Sequence, residues 1–182
     1  VDPFVPPSDW KRYGAIDFGT RHPFVFLLTA MDPRDSVLHV YKAHHKREWT
    51  LKQHHERMNE MIDVQPEWVV ADCEDRGARL TLAREYDFPT IPSRKGKNSI
   101  RDGVNAVCEL LALDVEGKPH LVFHDCPSMR PVIHEFQSYR WDTAGSRTNR
   151  DQPDRPLKKD DHSCDALRYL VKALQTSTFA VG

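Results

Sequence analysis

The order of strand-like and helix-like segments is the feature that most restricts the fold of this chain. Three segments with strand character, at 12–19, 22–32 and 36–45, follow one another with only short breaks. The break before the third contains DPRDS, a cluster of turn-forming residues. Consecutive strands joined by short turns pair side by side, so these segments predict an antiparallel three-strand meander.

Helix-like and strand-like segments alternate in the rest of the chain. The predicted helices are 50–62, 76–86, 98–113, 129–139 and about 162–174. The strand-like or extended segments between them are 67–73, 89–93 and 118–125. This order predicts an α/β fold with a mixed central sheet, in which parallel strands extend the antiparallel meander and helices cover both faces.

The length of 182 residues predicts one domain with a single core. Residues 1–10 contain three prolines and are expected to form a linker-like lead-in to a domain over 11–182. Residues 140–159 are polar, carry six arginines and lysines, and are expected to form a basic loop or hairpin.

Composition excludes several classes of protein. The net charge is −1, so any binding of nucleic acid requires a local basic patch. No apolar run approaches the roughly 18 residues of a membrane span, and no membrane partner is expected. The four cysteines are widely spaced without a C-x-x-C pair, which argues against a zinc site or a disulfide framework.

Two aspartates follow strand-like segments. Asp17 ends the first one within AIDFGT, and Asp72 ends the fourth within VVADCEDRG. If these strands are neighbours, both carboxylates emerge at the same edge of the sheet, where sites form in such folds. Asp165 lies inside the last predicted helix among small and apolar residues, where a carboxylate is costly without a partner. It could meet the other two.

Three clustered carboxylates repel one another, and a divalent cation resolves that repulsion. Mg²⁺ favours carboxylate oxygens, and two such ions roughly 3.5–4 Å apart can clamp an in-line displacement at phosphorus. We therefore predict Asp17, Asp72 and Asp165 as catalytic residues and metal ligands. Asp161 and His162 lie within one helical turn of Asp165 and are added as candidate ligands.

Each acid also has a simpler interpretation. Strand-end aspartates often cap turns. Asp161 could interact with the dipole of the last helix, and Asp165 could pair with Arg168. The remaining histidines, including His44, His45, His54 and His55, show no relation to the acids and are expected at the surface.

Basic residues mark two candidate DNA contacts. The segment SRKGKNSIRDG combines four cations with a glycine and a helix start, a combination that suits phosphate. A solvated basic turn and a surface loop are the competing interpretations. The predicted DNA-binding residues are Arg94, Lys95, Lys97 and Arg101 in this segment and Arg147 and Lys158 in the basic loop.

Together, Asp17, Asp72, the SRKGKNSIRDGV segment and DDHSCDALRY resemble the nuclease domain of the large terminase subunit of tailed bacteriophages. That domain belongs to the ribonuclease H-like, retroviral-integrase-like superfamily. The resemblance covers about 13–174, and D-H-x-x-D-A-L-R-Y is its most specific part. It implies cutting of double-stranded concatemeric viral DNA during packaging, with two Mg²⁺ or Mn²⁺ ions.

The resemblance also implies site residues and partners. Asp17, Asp72 and Asp165 match the family's acidic triad, and Asp161 and His162 match positions beside the third acid. The family's motor is an ATPase with a G-x-x-x-x-G-K-[ST] loop, which is not in this sequence. The implied partners are such an ATPase domain, the small terminase subunit, the portal and the capsid, in the host bacterial cytoplasm.

Three other functions remain open from the sequence. A Holliday-junction resolvase or a ribonuclease H of the same superfamily would share the acid cluster. An actin-like nucleotide-binding module is suggested by IDFGT, although no second D-x-G-T-like stretch appears. A catalytically inactive DNA-binding domain would keep the acids only as surface groups.

Overall fold

The computed structural model describes residues 1–19, 22–96, 98–140 and 160–178. The strands are β1 Lys11–Asp17, β2 Phe24–Met31, β3 Leu38–Lys46, β4 Trp68–Ala71, β5 Ile91–Pro92 and β6 Leu121–Phe123. The helices are α1 Leu51–Met61, α2 Arg76–Glu85, α3 Ser99–Leu111, α4 Arg130–Ser138 and α5 His162–Thr178, with a 3₁₀ turn at Pro127–Met129. Each lies within, or within a few residues of, a segment predicted from the sequence.

Within the described residues the strands form one six-stranded sheet in the order β5-β4-β1-β2-β3-β6. The β1–β2 and β2–β3 pairs are antiparallel, as the meander predicted. β4 runs parallel to β1, β5 parallel to β4, and β6 parallel to β3. The mixed sheet predicted from the order of elements is therefore confirmed.

Helices cover both faces of the sheet. On one face Ala106 of α3, Val132 of α4 and Leu167 of α5 pack into one core cluster with sheet residues. On the other face Met58 of α1 and Leu82 of α2 pack into a second cluster. Neighbouring residues of β1, β2, β3 and β4 supply the two clusters, because successive side chains of a strand point to opposite faces. No helix in the described part of the chain has both the length and the apolar character needed to cross a membrane.

A β-bulge interrupts the pairing of β2 and β3. Leu28 pairs with Lys42 and Thr29 pairs with Val40, which leaves Tyr41 as the extra residue on β3. Tyr41 lies in the second core cluster, and after the bulge Ala43 lies in the first one, on the same face as Leu38 and Val40. A strict alternation of apolar residues, which is all that the sequence pattern offers, does not predict this shift.

A buried arginine ties the lead-in to the sheet. Arg12 is 1% exposed, and its guanidinium donates to the carbonyls of Trp10 and Pro6 and to the hydroxyl of Tyr41. Asp63 lies 3.6 Å away and completes the charge balance. The expected linker character of residues 1–10 stays a prediction; in this chain the segment lies against the domain.

Candidate active site

The parallel pairing of β1 with β4 brings the first two predicted acids to one edge of the sheet. Ile16 is the register partner of Ala71, so Asp17 and Asp72 follow at the same level. The backbone N–H of Asp72 donates to the carbonyl of Ile16 at 3.3 Å. The condition on which the sequence argument depended, that the first and fourth strands are neighbours, is met.

Asp17 is a buried carboxylate in an acidic environment. It is 6% exposed, and Nδ1 of His162 lies 2.9 Å from its Oδ2. Burial raises the pKa of Asp17 to about 6; the His162 hydrogen bond acts against that rise, while Asp165 and Asp72 add to it. The two acids from other elements therefore lie close enough to Asp17 to oppose its ionisation.

Asp72 is held by contacts from three directions. Its Oδ1 accepts the backbone N–H of Glu74 at 3.0 Å, and its Oδ2 accepts the hydroxyl of Tyr169 at 3.3 Å. Nζ of Lys95 lies 3.4 Å from Oδ1 and 2.6 Å from Oε1 of Glu74. Lys95, predicted from the sequence as a DNA contact, here lies beside the acids.

Asp165 forms the ion pair with Arg168 that its sequence spacing allowed. Its Oδ1 accepts Nε at 3.1 Å and Nη2 at 2.8 Å. Arg168 is buried against α3 because Gly103 has no side chain; a Cβ at that position would lie 2.6 Å from Cδ of Arg168. The ion pair therefore depends on a close approach of α3 to α5.

Tyr169 is a site residue that the sequence argument did not select. Burial raises its pKa, and the carboxylates of Asp165, Asp17 and Asp72 add to the rise. The guanidinium of Arg168 lies 4.7 Å from its ring centroid. All three acids thus act electrostatically on one phenol, and Asp72 also accepts its hydrogen bond. The available signal was its spacing, four residues after Asp165 on one helix face.

The acids suit a hard divalent cation by type and by place. Carboxylate oxygens are preferred ligands of such ions, and the mutual repulsion felt at Asp17 favours a positive charge among them. In the observed side-chain positions, however, no group of three or more His, Cys, Asp or Glu residues within the described ranges is arranged to hold an ion. His162, Lys95 and Arg168 contact the acids instead, so shared coordination would require these side chains to shift.

A family model described as Terminase RNAseH like domain matches residues 17–173. The chain belongs to this family. The match includes Asp17, Asp72 and Asp165 and most of the sheet.

Solved structures agree with this terminase assignment. The large terminase of a thermophilic bacteriophage, solved in complex with ATP-gamma-S, is 25% identical with a TM-score of 0.77, over 94% of this chain and 41% of that chain. The P22 large terminase nuclease domain is 21% identical (TM-score 0.71), over 93% of this chain and 84% of that chain. The SPP1 large terminase nuclease domain with bound Mn is 21% identical (TM-score 0.66), over 87% of this chain and 84% of that chain.

These matches confirm the ribonuclease H-like fold expected from the sequence and the resemblance to large-terminase nuclease domains. The terminase domain described here spans 41% of the length of the thermophilic-phage protein. A comparison with curated proteins gives no match.

The other predicted site residues of this terminase domain lie at varied positions. His162 is the first residue of α5 and its ring lies against that of His22, with centroids 5.2 Å apart. Asp161 directly precedes α5, and its carbonyl accepts the N–H of Asp165. Arg94 lines a cleft of 410 Å³ that also includes Tyr169, and Arg101 is exposed in the first turn of α3. Predicted residues outside the described part of the chain are Lys97, Arg147 and Lys158, with the loop over 141–159.

The expectation that the remaining histidines lie at the surface is wrong for His44, His54 and His124, which are buried. His44 and His54 are buried between β3 and α1, with Nε2 of one 2.8 Å from Nδ1 of the other. Burial lowers the pKa of each to about 4. His45 is half-buried, and its Nε2 lies 2.8 Å from Oε1 of Glu135. Helices α1 and α4, which pack against β3, enclose these side chains, and periodicity in the sequence does not predict that packing.

Proposed function

We propose that this terminase domain is a metal-dependent endonuclease that cuts double-stranded concatemeric viral DNA during genome packaging. The single observation that carries the proposal is that Asp17 and Asp72 lie at the ends of neighbouring parallel strands, where α5 brings His162 to Asp17 and Tyr169 to Asp72. The proposal is supported by the SPP1 relative, a nuclease domain solved with bound Mn.

Asp17, Asp72 and Asp165 would hold two Mg²⁺ or Mn²⁺ ions, with Asp161 and His162 as further candidate ligands. When bound, the ions supply positive charge and lower the pKa of a coordinated water. The ring of His162 orients the carboxylate of Asp17 through a 2.9 Å contact, and Tyr169 orients that of Asp72. Hydrolysis breaks one P–O bond of the DNA backbone, and the water oxygen forms the new bond to phosphorus.

The DNA is proposed to lie across the basic residues beside this edge. Lys95 reaches the acids from the segment after β5, and Arg94 lines the neighbouring cleft. A duplex phosphate approaching Asp72 would therefore meet these cations first, and they offset the repulsion between the acids and DNA. Lys97, Arg101, Arg147 and Lys158 are proposed as further contacts on the same grounds of charge.

The larger assembly is also a proposal. The thermophilic-phage relative is a large terminase solved with ATP-gamma-S, and this chain matches 41% of it. We infer that the domain works beside an ATPase domain, with the small terminase subunit, the portal and the capsid as partners. Packaging of phage DNA would place that work in the host bacterial cytoplasm.

Cleavage of supercoiled plasmid in Mn²⁺ or Mg²⁺ tests the proposal. We expect nicking that stops in excess EDTA and is lost in Asp72→Asn, because this change removes a carboxylate from the cluster. Asp9→Asn, at an exposed acid, is the matched control. Activity that persists in EDTA, or in Asp72→Asn, would contradict the mechanism. Parallel assays on linear duplex, a four-way junction and an RNA–DNA hybrid separate a packaging nuclease from a resolvase or a ribonuclease H.

A further inference from the structure

Glu135 is a buried acid outside the predicted site. It lies in α4 and is 4% exposed. A carboxylate is costly to bury unless its oxygens have donors. Both oxygens have one: Oε1 lies 2.8 Å from Nε2 of His45 on β3, and Oε2 accepts the backbone N–H of Ser163 at 2.6 Å. Glu135 therefore links three separate elements of the fold.

The contact with Ser163 lies at the start of α5, the helix that contains His162 and Asp165. Ser163 is the second residue of α5, where N–H groups have no acceptor within the helix. A negative charge at this end of a helix is also favoured by the helix dipole. Glu135 thus supplies an acceptor and a charge that the first turn of α5 requires.

The same turn holds residues that contact the acids. His162 precedes Ser163 and lies 2.9 Å from Asp17, and Asp165 follows it by two residues. A shift of this turn would move His162 and Asp165 relative to Asp17, which is fixed at the end of β1. His45 holds Glu135 against β3. The position of the first turn of α5 is therefore fixed relative to the sheet.

We propose that Glu135 is a positioning residue of the nuclease: by accepting the N–H of Ser163, it fixes the first turn of α5 and sets His162 and Asp165 against Asp17. The inference rests on the proposed function of that site. It gives Glu135 no contact with DNA or metal, and its effect is on how well the acids are arranged to bind cations.

A matched pair of variants tests the inference. Glu135→Gln keeps an acceptor for Ser163, whereas Glu135→Met keeps a similar volume and removes it. Val132→Ala, a buried apolar change one turn before Glu135 on the same helix, controls for lost packing. The readouts are calorimetric Mn²⁺ binding, amide hydrogen exchange at Ser163 without metal, and plasmid nicking at a range of Mn²⁺ concentrations.

We expect Glu135→Met to weaken Mn²⁺ binding by about 10- to 100-fold, as for other residues that orient metal ligands. Exchange at Ser163 should accelerate by roughly tenfold or more, since hydrogen bonds to charged groups contribute about 1.5–3 kcal/mol. Glu135→Gln should fall between wild type and Glu135→Met in both measurements. Val132→Ala should leave the Mn²⁺ affinity of the folded protein unchanged.

Wild-type affinity and slow exchange at Ser163 in Glu135→Met would overturn the inference and leave the proposed function intact. So would an equal loss of Mn²⁺ affinity in Val132→Ala. Wild-type protein that neither binds Mn²⁺ nor nicks DNA would overturn the proposed function itself. If Glu135→Met does not fold, Glu135→Asp replaces it, because the shorter side chain withdraws the acceptor from Ser163 and is expected to give the same losses.

Discussion

Replacing Asp17 by asparagine is expected to stabilise the metal-free domain while removing the proposed nuclease activity. The pKa of Asp17 is about 6 in the folded protein, against 3.8 for an ordinary aspartate. At pH 7.5 the group is ionised, and holding it so in the folded state costs about 3 kcal/mol, from roughly 1.4 kcal/mol per pH unit of difference. An asparagine side chain would fill the same space without the charge, although its hydrogen bond with His162 would be weaker. We therefore expect a net gain of about 1–3 kcal/mol in the free energy of unfolding.

The pH dependence of this gain provides a second check. Because the folded-state pKa of Asp17 is the higher one, the folded protein takes up a proton before the unfolded chain as pH falls. Wild type thus recovers the lost stability between pH 6 and about 4, and its difference from Asp17→Asn should shrink towards zero over that range.

Urea unfolding in EDTA, at pH 7.5, 6 and 5, measures both effects. Asp9→Asn, at an exposed acid, is the control and should leave stability unchanged. Added Mn²⁺ should stabilise wild type and not Asp17→Asn, because a ligand stabilises only the state that binds it. A variant that is less stable than wild type at pH 7.5 in EDTA, or a gain that does not depend on pH, would refute the reasoning that like charges and burial destabilise Asp17.

Two further predictions concern groups away from the acids. His44, His54 and His124 have folded-state pKa values lowered by burial to about 4, so the unfolded chain takes up protons first on acidification. The free energy of unfolding should therefore fall as the pH is lowered from 6.5 to 4, by up to about 1.4 kcal/mol per pH unit for each histidine. Urea unfolding of Asp17→Asn measures this loss without the opposing effect of Asp17. A free energy of unfolding that does not change over this pH range would contradict the prediction. Arg12→Met should lower the free energy of unfolding by about 3–5 kcal/mol, because it leaves the carbonyls of Trp10 and Pro6 without their donor and removes the positive charge nearest Asp63 in this buried network. Arg12→Lys keeps the charge but not the planar guanidinium, so its stability in urea unfolding should fall between those of wild type and Arg12→Met. A loss of less than about 1 kcal/mol in Arg12→Met, on the order of a surface substitution, would show that the hydrogen bonds of Arg12 contribute little.

Most of the fold could be predicted because periodicity and turn residues mark the elements directly. The helix start at Thr50 and the apolar runs of β1, β2 and β4 each appear in the sequence and in the structure. The sequence did not predict that β1 and β4 are neighbours; it only showed that the acids would meet if they are. The pairing of strands that are distant in sequence depends on packing of the whole domain. The bulge at Tyr41 was not predictable, because an inserted residue leaves the apolar pattern of β3 almost unchanged.

The acids of the candidate site could be selected from the sequence, and the residues that contact them could not. Asp17, Asp72 and Asp165 stand out because carboxylates are unusual beside apolar segments. Tyr169 and Glu135 do not stand out, since a tyrosine and a glutamate on amphipathic helices usually serve packing or solvation. Their contacts with Asp72 and Ser163 depend on how α4 and α5 pack in the folded domain, and no local sequence pattern predicts that packing.

Helix α5 contributes both to the hydrophobic core and to the candidate site. Its apolar side, with Leu167 and Leu170, closes the larger core cluster, and its opposite margin presents Asp165 to the acids. A chain without this helix would lose part of the larger core cluster together with Asp165. Loss of the C-terminal segment would therefore destabilise the whole domain, rather than leave a folded domain that lacks only the proposed metal ligand.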